Sequence, residues 1–261
     1  MAEFDTALLG IDYLVYSSHK TATQTLAGTL RANGYGCTHC HSLTNRTVNL
    51  KSGDFGPFLA WYHRVNGRTL RVITLFREPV ERSVSSFFQW HGEGVIRQGL
   101  VGGIADTIIA TLPTEDLLEV FIRELRSDPP EGHARVGRLE SLDQICAELD
   151  VGIGDLHYEP FRGYGVTDLD HCTLYLARFD TLAGSGVEKV LTEITGTTIT
   201  RYDANISAQK WYAEAYQDFR AALRMPRDVL LGIYAARRPI IDVMYPGEYD
   251  AMTAAALDRY C

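Results

Sequence analysis

The chain has 261 residues, 46% hydrophobic and 22% charged, an ordinary balance for a soluble folded protein that can bury a sizeable core. Its 25 Lys+Arg stand against 33 Asp+Glu, a formal charge of −8. That argues against a broad nucleic-acid or anionic-membrane surface, so any anion site has to be local. No run approaches the roughly 18 uninterrupted apolar residues of a membrane span. The chain starts acidic and its short apolar run is interrupted by Asp12, so no export pattern appears, and the expectation is a cytoplasmic protein with no membrane span.

In chain order, "GIDYLVYSS" (10–18) predicts a buried first strand, and "TATQTLAGTLRANGY" (21–35) a helix that an Asn-Gly pair stops. "GCTHCHSL" (36–43) predicts a short second strand and "GDFGPFLAWYHRVNG" (53–67) a helix in which His63 is structural. "TLRVITLF" (69–76) is the most strand-like run, and "EPVERSVSSFFQW" (78–90) a helix with Pro79 in its first turn. Residues 92–170 are less regular, with one helix near 114–127 and a loop at "SDPPEGHARVG". "CTLYLARFDTL" (172–182) returns as a strand, followed by a helix over 186–195. From about 207 the chain reads as helical: "SAQKWYAEAYQDFRAAL", "RDVLLGIYAARR" and a tail around 247–259. This β-α alternation predicts an α/β fold, a mostly parallel sheet flanked by helices with a helical C-terminal portion.

Cys37-Thr38-His39-Cys40-His41 spells C-x-x-C-H, a spacing shared by haem attachment sites and, in part, by zinc knuckles. Haem would require export and a second axial ligand, and zinc two more ligands; the next close Cys/His pair, His171-Cys172, is about 130 residues away. The five cysteines, at 37, 40, 146, 172 and 261, are odd in number and scattered, so they read as reduced, buried thiols. On a strand of period two, His39, His41 and Cys37 point one way and Cys40 the other.

Two strand-to-helix turns look suited to anions. After the first strand come Lys20, Thr21, Ala22, Thr23, Gln24 and Thr25: helix-terminal N–H groups, a mobile cation and hydroxyls. Taken alone, Thr21 could simply cap the helix. The glycines of a nucleoside-triphosphate loop are missing, since Leu14 and His19 stand in their places. After the third strand, Arg77 is followed by Arg82 and, eight residues on, by Ser85. A guanidinium and a hydroxyl suit a phosphate monoester, although helix capping by surface charge would leave the same trace.

Taken as a pair, these turns resemble the sulfotransferase superfamily, whose K-[ST]-[GA]-[ST]-[ST] loop is matched by residues 20–25 with Gln24 in place of a hydroxyl residue. The C-terminal half is similar, more weakly, to small bacterial members associated with capsular polysaccharide synthesis. The resemblance implies a P-loop-like fold and transfer of a sulfuryl group from 3′-phosphoadenosine 5′-phosphosulfate to a hydroxyl of a carbohydrate or small metabolite. It implies that residues 20–25 hold the 5′-phosphosulfate and Arg77 and Ser85 the 3′-phosphate. The general base is expected at a strand's carboxyl end: His41 first, His39 as the alternative, with Lys20 stabilising the departing bridging oxygen. His19 adjoins the loop and could touch either substrate. No metal or haem is expected. A P-loop-like kinase and a non-catalytic nucleotide-binding module are the rival readings. The organisation expected is one domain over 1–261: a donor-binding core at about 8–92 and 171–195, an acceptor-side region at about 92–170, and a helical segment at about 205–261. Tyr158, Phe161, Tyr164, Trp211 and Tyr212 could stack on sugar rings or fill the core.

Overall fold

A computed structural model of the chain describes residues 10–17, 20–41, 56–128, 142–170, 172–202 and 209–261. His19, His171 and most of the loop expected after Ser127 lie outside the described residues. The strands are β1 (Tyr13–Tyr16), β2 (Cys37–Cys40), β3 (Leu70–Phe76), β4 (Tyr164–Asp168) and β5 (Cys172–Arg178). The main helices are α1 (Thr23–Ala32), α2 (Gly56–Val65), α3 (Pro79–Gln89), α4 (Thr114–Arg126), α5 (Leu142–Leu149), α6 (Gly186–Thr195), α7 (Ala213–Ala222), α8 (Arg227–Met244) and α9 (Tyr249–Tyr260). The residues group into two compact units: 1–77 with 140–205, and 78–139 with 206–261.

The first unit is α/β. Its five strands run in the order β2-β1-β3-β5-β4. β2, β1, β3 and β5 are mutually parallel, and β4 closes the edge antiparallel to β5. The parallel strands carry buried, β-branched or aromatic residues on both faces, the signature of a sheet covered on both sides. One face sends Tyr13, Val15, Cys37, Ile73, Leu75 and Ala177 into a core with Leu26, Ala27 and Leu30 of α1 and Val187, Val190, Leu191 and Ile194 of α6. A fully buried Leu or Ile there contributes about 1.5–3 kcal/mol. The opposite face meets α5, where the Tyr16 hydroxyl donates to Glu148. α2 is tied to the sheet by His63, whose Nε2 donates to the Ile11 carbonyl at 2.9 Å. Gly36 is required just before β2, because a Cβ there would stand 1.4 Å from the Gly10 carbonyl oxygen. That close approach lets the Gly36 carbonyl accept from both Asp12 and Tyr13 N–H and sets the β1–β2 register.

Two elements differ from the sequence reading. β4 is short and half-polar, with Thr167 and Asp168 at its open end, so its alternation is too weak to announce a strand. α5 spans only two turns, below the length at which periodicity separates a helix from a short apolar run.

The second unit is helical. Phe87 and Phe88 of α3, Phe121 of α4 and Phe219 of α7 pack ring against ring, with centroids 5.2–5.7 Å apart. Glu78 caps α3 by accepting from Val80 and Glu81 N–H at 3.0 and 2.7 Å, and also accepts from the Tyr234 hydroxyl at 2.6 Å. One oxygen of Glu81 takes Arg220 at 2.6 Å and Arg259 at 2.9 Å, so α3, α7 and α9 share one carboxylate. α8 runs through Pro239 to Met244. The roughly 3 kcal/mol cost of an internal proline is offset by burying Ile240, Ile241 and Met244 beyond it.

Candidate functional site

The chain leaves β1 for β2 on one side and then crosses to β3 on the other. The carboxyl ends of β1 and β3 therefore flank the point where strand order reverses, the place where open α/β sheets hold ligands. Ser17, the loop through Ala22, His41 and Arg77 all follow strand ends there, and all belong to the first unit.

The loop is conformationally unusual. Lys20 and Ala22 have φ of 69° and 63°, left-handed values that cost a non-glycine residue about 1–2 kcal/mol each. Such strain persists only where the surroundings fix it. Left-handed residues alternating with ordinary ones aim successive N–H groups to one side, the geometry of anion-binding nests. Ala22 then stands at the cap of α1, where its methyl side chain makes no cap hydrogen bond to the first turn.

The expected loop residues divide between inside and outside. The Thr21 side chain is fully buried, its hydroxyl 2.8 Å from Ser17 Oγ, and Thr23 is buried as well. Lys20, Ala22 and Thr25 are half-buried and Gln24 is exposed. Thr21 thus ties the loop to Ser17 with its buried side chain.

His41 stands just past β2. Its Nδ1 donates to the Ser17 carbonyl at 2.7 Å, and a carbonyl only accepts, so the Nδ1 proton is fixed. In the neutral ring the lone pair is then on Nε2, the tautomer a general base needs. The His39 ring meets it edge-on with centroids 5.9 Å apart.

Arg77, just past β3, donates to the Lys20 carbonyl at 3.0 Å, and its guanidinium lies 4.5 Å over the Phe179 ring. Phe179 follows β5 and is itself fixed by its N–H on the Phe76 carbonyl at 2.7 Å. The structure therefore brings Lys20 and Arg77 together and joins His41 to Ser17. Ser85 lies half-buried on α3 in the second unit.

Sequence reasoning gave no role to Ser17 or Phe179. Ser17 is visible as the residue at the first strand's end, whereas the placing of Phe179 beside Arg77 depends on the β3–β5 pairing alone.

The C-x-x-C-H spacing resolves into packing. Cys37, Cys40, Cys146 and Cys172 are buried thiols and Cys261 an exposed one. Burial pushes Cys37 up to about 12, with Arg31 pulling weakly the other way, and pushes Cys146 and Cys172 up to about 11. A thiol that stays protonated is a poor nucleophile. Among the described residues, no group of three or more His, Cys, Asp or Glu stands close enough to hold a metal ion, and no helix is long and apolar enough to cross a membrane. Of the aromatics singled out, Tyr158, Tyr164 and Tyr212 are buried, while Phe161 is 98% and Trp211 39% exposed. Comparison of the chain with protein-family models, with curated proteins and with solved structures found no match.

Proposed function

We propose that the chain is a sulfotransferase that moves a sulfuryl group from 3′-phosphoadenosine 5′-phosphosulfate to a hydroxyl of a carbohydrate or small metabolite, on a P-loop-like sheet. One observation carries the reading: a strained nest with its lysine, an arginine bonded to that nest, and a histidine of fixed tautomer follow the ends of three adjacent parallel strands. The nest and Lys20 suit the 5′-phosphosulfate, and the planar Arg77 fork suits the 3′-phosphate.

In this reading the acceptor oxygen forms a bond to sulfur as the bond from sulfur to the 5′-phosphate oxygen breaks. His41 Nε2 takes the hydroxyl proton, and 3′-phosphoadenosine 5′-phosphate leaves with the negative charge that Lys20 and the nest stabilise. The donor carries no triphosphate, so the charge it develops is within reach of one lysine, one arginine and the helix end.

The test is calorimetry with 3′-phosphoadenosine 5′-phosphate, together with turnover of the labelled donor over a panel of acceptors. Lys20→Ala should weaken nucleotide binding. His41→Ala should leave binding intact and lower turnover by about 10²–10⁴-fold, the range for loss of a general base. A wild-type chain that ignores this nucleotide but binds ATP with Mg²⁺ overturns the proposal in favour of a kinase. Binding with no sulfated product from any acceptor reduces it to a nucleotide-binding module.

A further inference from the structure

Ser17 is fully buried, and each of its polar atoms is committed to a different part of the site. Its N–H donates to the Cys40 carbonyl at the end of β2, at 3.4 Å, and its own carbonyl accepts from His41 Nδ1 at 2.7 Å. Its hydroxyl accepts from Leu75 N–H at 3.0 Å, donates to the Leu75 carbonyl at 3.1 Å and lies 2.8 Å from Thr21 Oγ1. A hydroxyl has one proton and two lone pairs. With the proton on the Leu75 carbonyl, Thr21 must be the donor in the third bond, and the oxygen is saturated.

The position of these bonds matters. The β1–β3 ladder pairs Val15 with Ile73, so two residues on Ser17 faces Leu75. There the side chain of Ser17 takes both backbone groups of Leu75 that a continuing ladder would have used. The β1 backbone is thereby released from β3 at the switch point while its end stays anchored, and it turns into the left-handed Lys20–Ala22 corner.

We infer that Ser17 is the positioning residue of the site, setting the anion loop through its hydroxyl and the His41 tautomer through its carbonyl. The inference rests on the reading of loop and histidine given above, and it adds that the two are not independent: displacing Ser17 disturbs both. Alanine keeps the Ser17 carbonyl and loses only the hydroxyl, so an effect of Ser17→Ala on His41 has to travel through the position of the backbone.

The experiment is NMR of the intact chain without ligand, repeated with 3′-phosphoadenosine 5′-phosphate. In Ser17→Ala the Lys20 and Ala22 amide and Cα shifts should move away from their wild-type positions toward conformationally averaged values, as the left-handed corner loses its anchor. The His41 ring nitrogen shifts should move from a single Nδ1–H form to a mixture of tautomers. Thr74→Val, which removes a buried hydroxyl without a partner from the neighbouring position of β3, should change neither. Ser17→Thr, which restores the hydroxyl, should recover the single tautomer. Unchanged amides and an unchanged His41 ring in Ser17→Ala overturn the inference, as does an equal response from Thr74→Val, which marks general softening of β3. Because these readouts need no ligand, a wild-type chain that fails to bind the nucleotide removes the donor assignment and leaves the positioning role of Ser17 intact. Where the nucleotide binds, Ser17→Ala should lose at least tenfold in affinity and Ser17→Thr less than threefold.

Discussion

Among the contacts that replacing Arg77 by alanine removes, two can be weighed separately. The bond from its guanidinium to the Lys20 carbonyl, 3.0 Å long, is charge-assisted and worth about 1.5–3 kcal/mol net. The stacking over Phe179 at 4.5 Å adds about 0.5–1 kcal/mol at a half-buried position. Together they amount to about 2–4 kcal/mol of support for the loop in its anion-binding shape, or roughly 30- to 800-fold in affinity at about 1.4 kcal/mol per decade. Titration calorimetry with 3′-phosphoadenosine 5′-phosphate reads this support together with the direct 3′-phosphate contact proposed above, so the loop support sets the lower bound of the expected loss. Arg77→Lys keeps the charge but loses the planar fork and the stacking surface, and should recover less than half of the lost binding energy. Phe179→Leu should cost only the stacking part. Arg77→Ala binding within threefold of wild type, or Arg77→Lys indistinguishable from wild type, would show that the guanidinium is a bystander to the loop.

Ala22→Val places a β-branched residue at φ 63° and should abolish nucleotide binding at a stability cost of at least about 1 kcal/mol, whereas Ala22→Gly should retain binding with a net change below about 1 kcal/mol; melting curves and calorimetry decide. His63 is buried, and burial lowers its affinity for a proton despite its bond to the Ile11 carbonyl. The unfolded chain therefore binds a proton that the native state refuses below about pH 6.5, so this contribution is complete above that pH and is lost as pH falls through it. Urea midpoints at pH 7.5 and 5.5 should converge in His63→Gln; an unchanged gap assigns the acid sensitivity elsewhere.

Most of the elements were legible in the chain. The run Leu70–Phe76 is long and β-branched enough to be a buried strand in any context, and Pro79 after Glu78 marks a helix start locally. The strand-to-helix corner was legible for the same reason: Lys20, Thr21 and Ala22 sit between a strand signal and a helix signal. The continuation of α8 through Pro239 rests on the tertiary structure: proline is a local stop signal, and the burial of Ile240, Ile241 and Met244 overrides it.

By itself the sequence determined the alternation of strands and helices, the local character of any anion site, and which residue types stand at the strand ends. Only the tertiary structure decided which strand ends lie side by side. That order, β2-β1-β3-β5, brings Arg77 against the Lys20 carbonyl, slides Phe179 under its guanidinium and hands His41 the carbonyl of Ser17. The physical reason is range: hydrophobic period and turn chemistry act over a few residues, whereas hydrogen bonds between residues 17 and 75, or 20 and 77, exist only once the parallel ladder has closed.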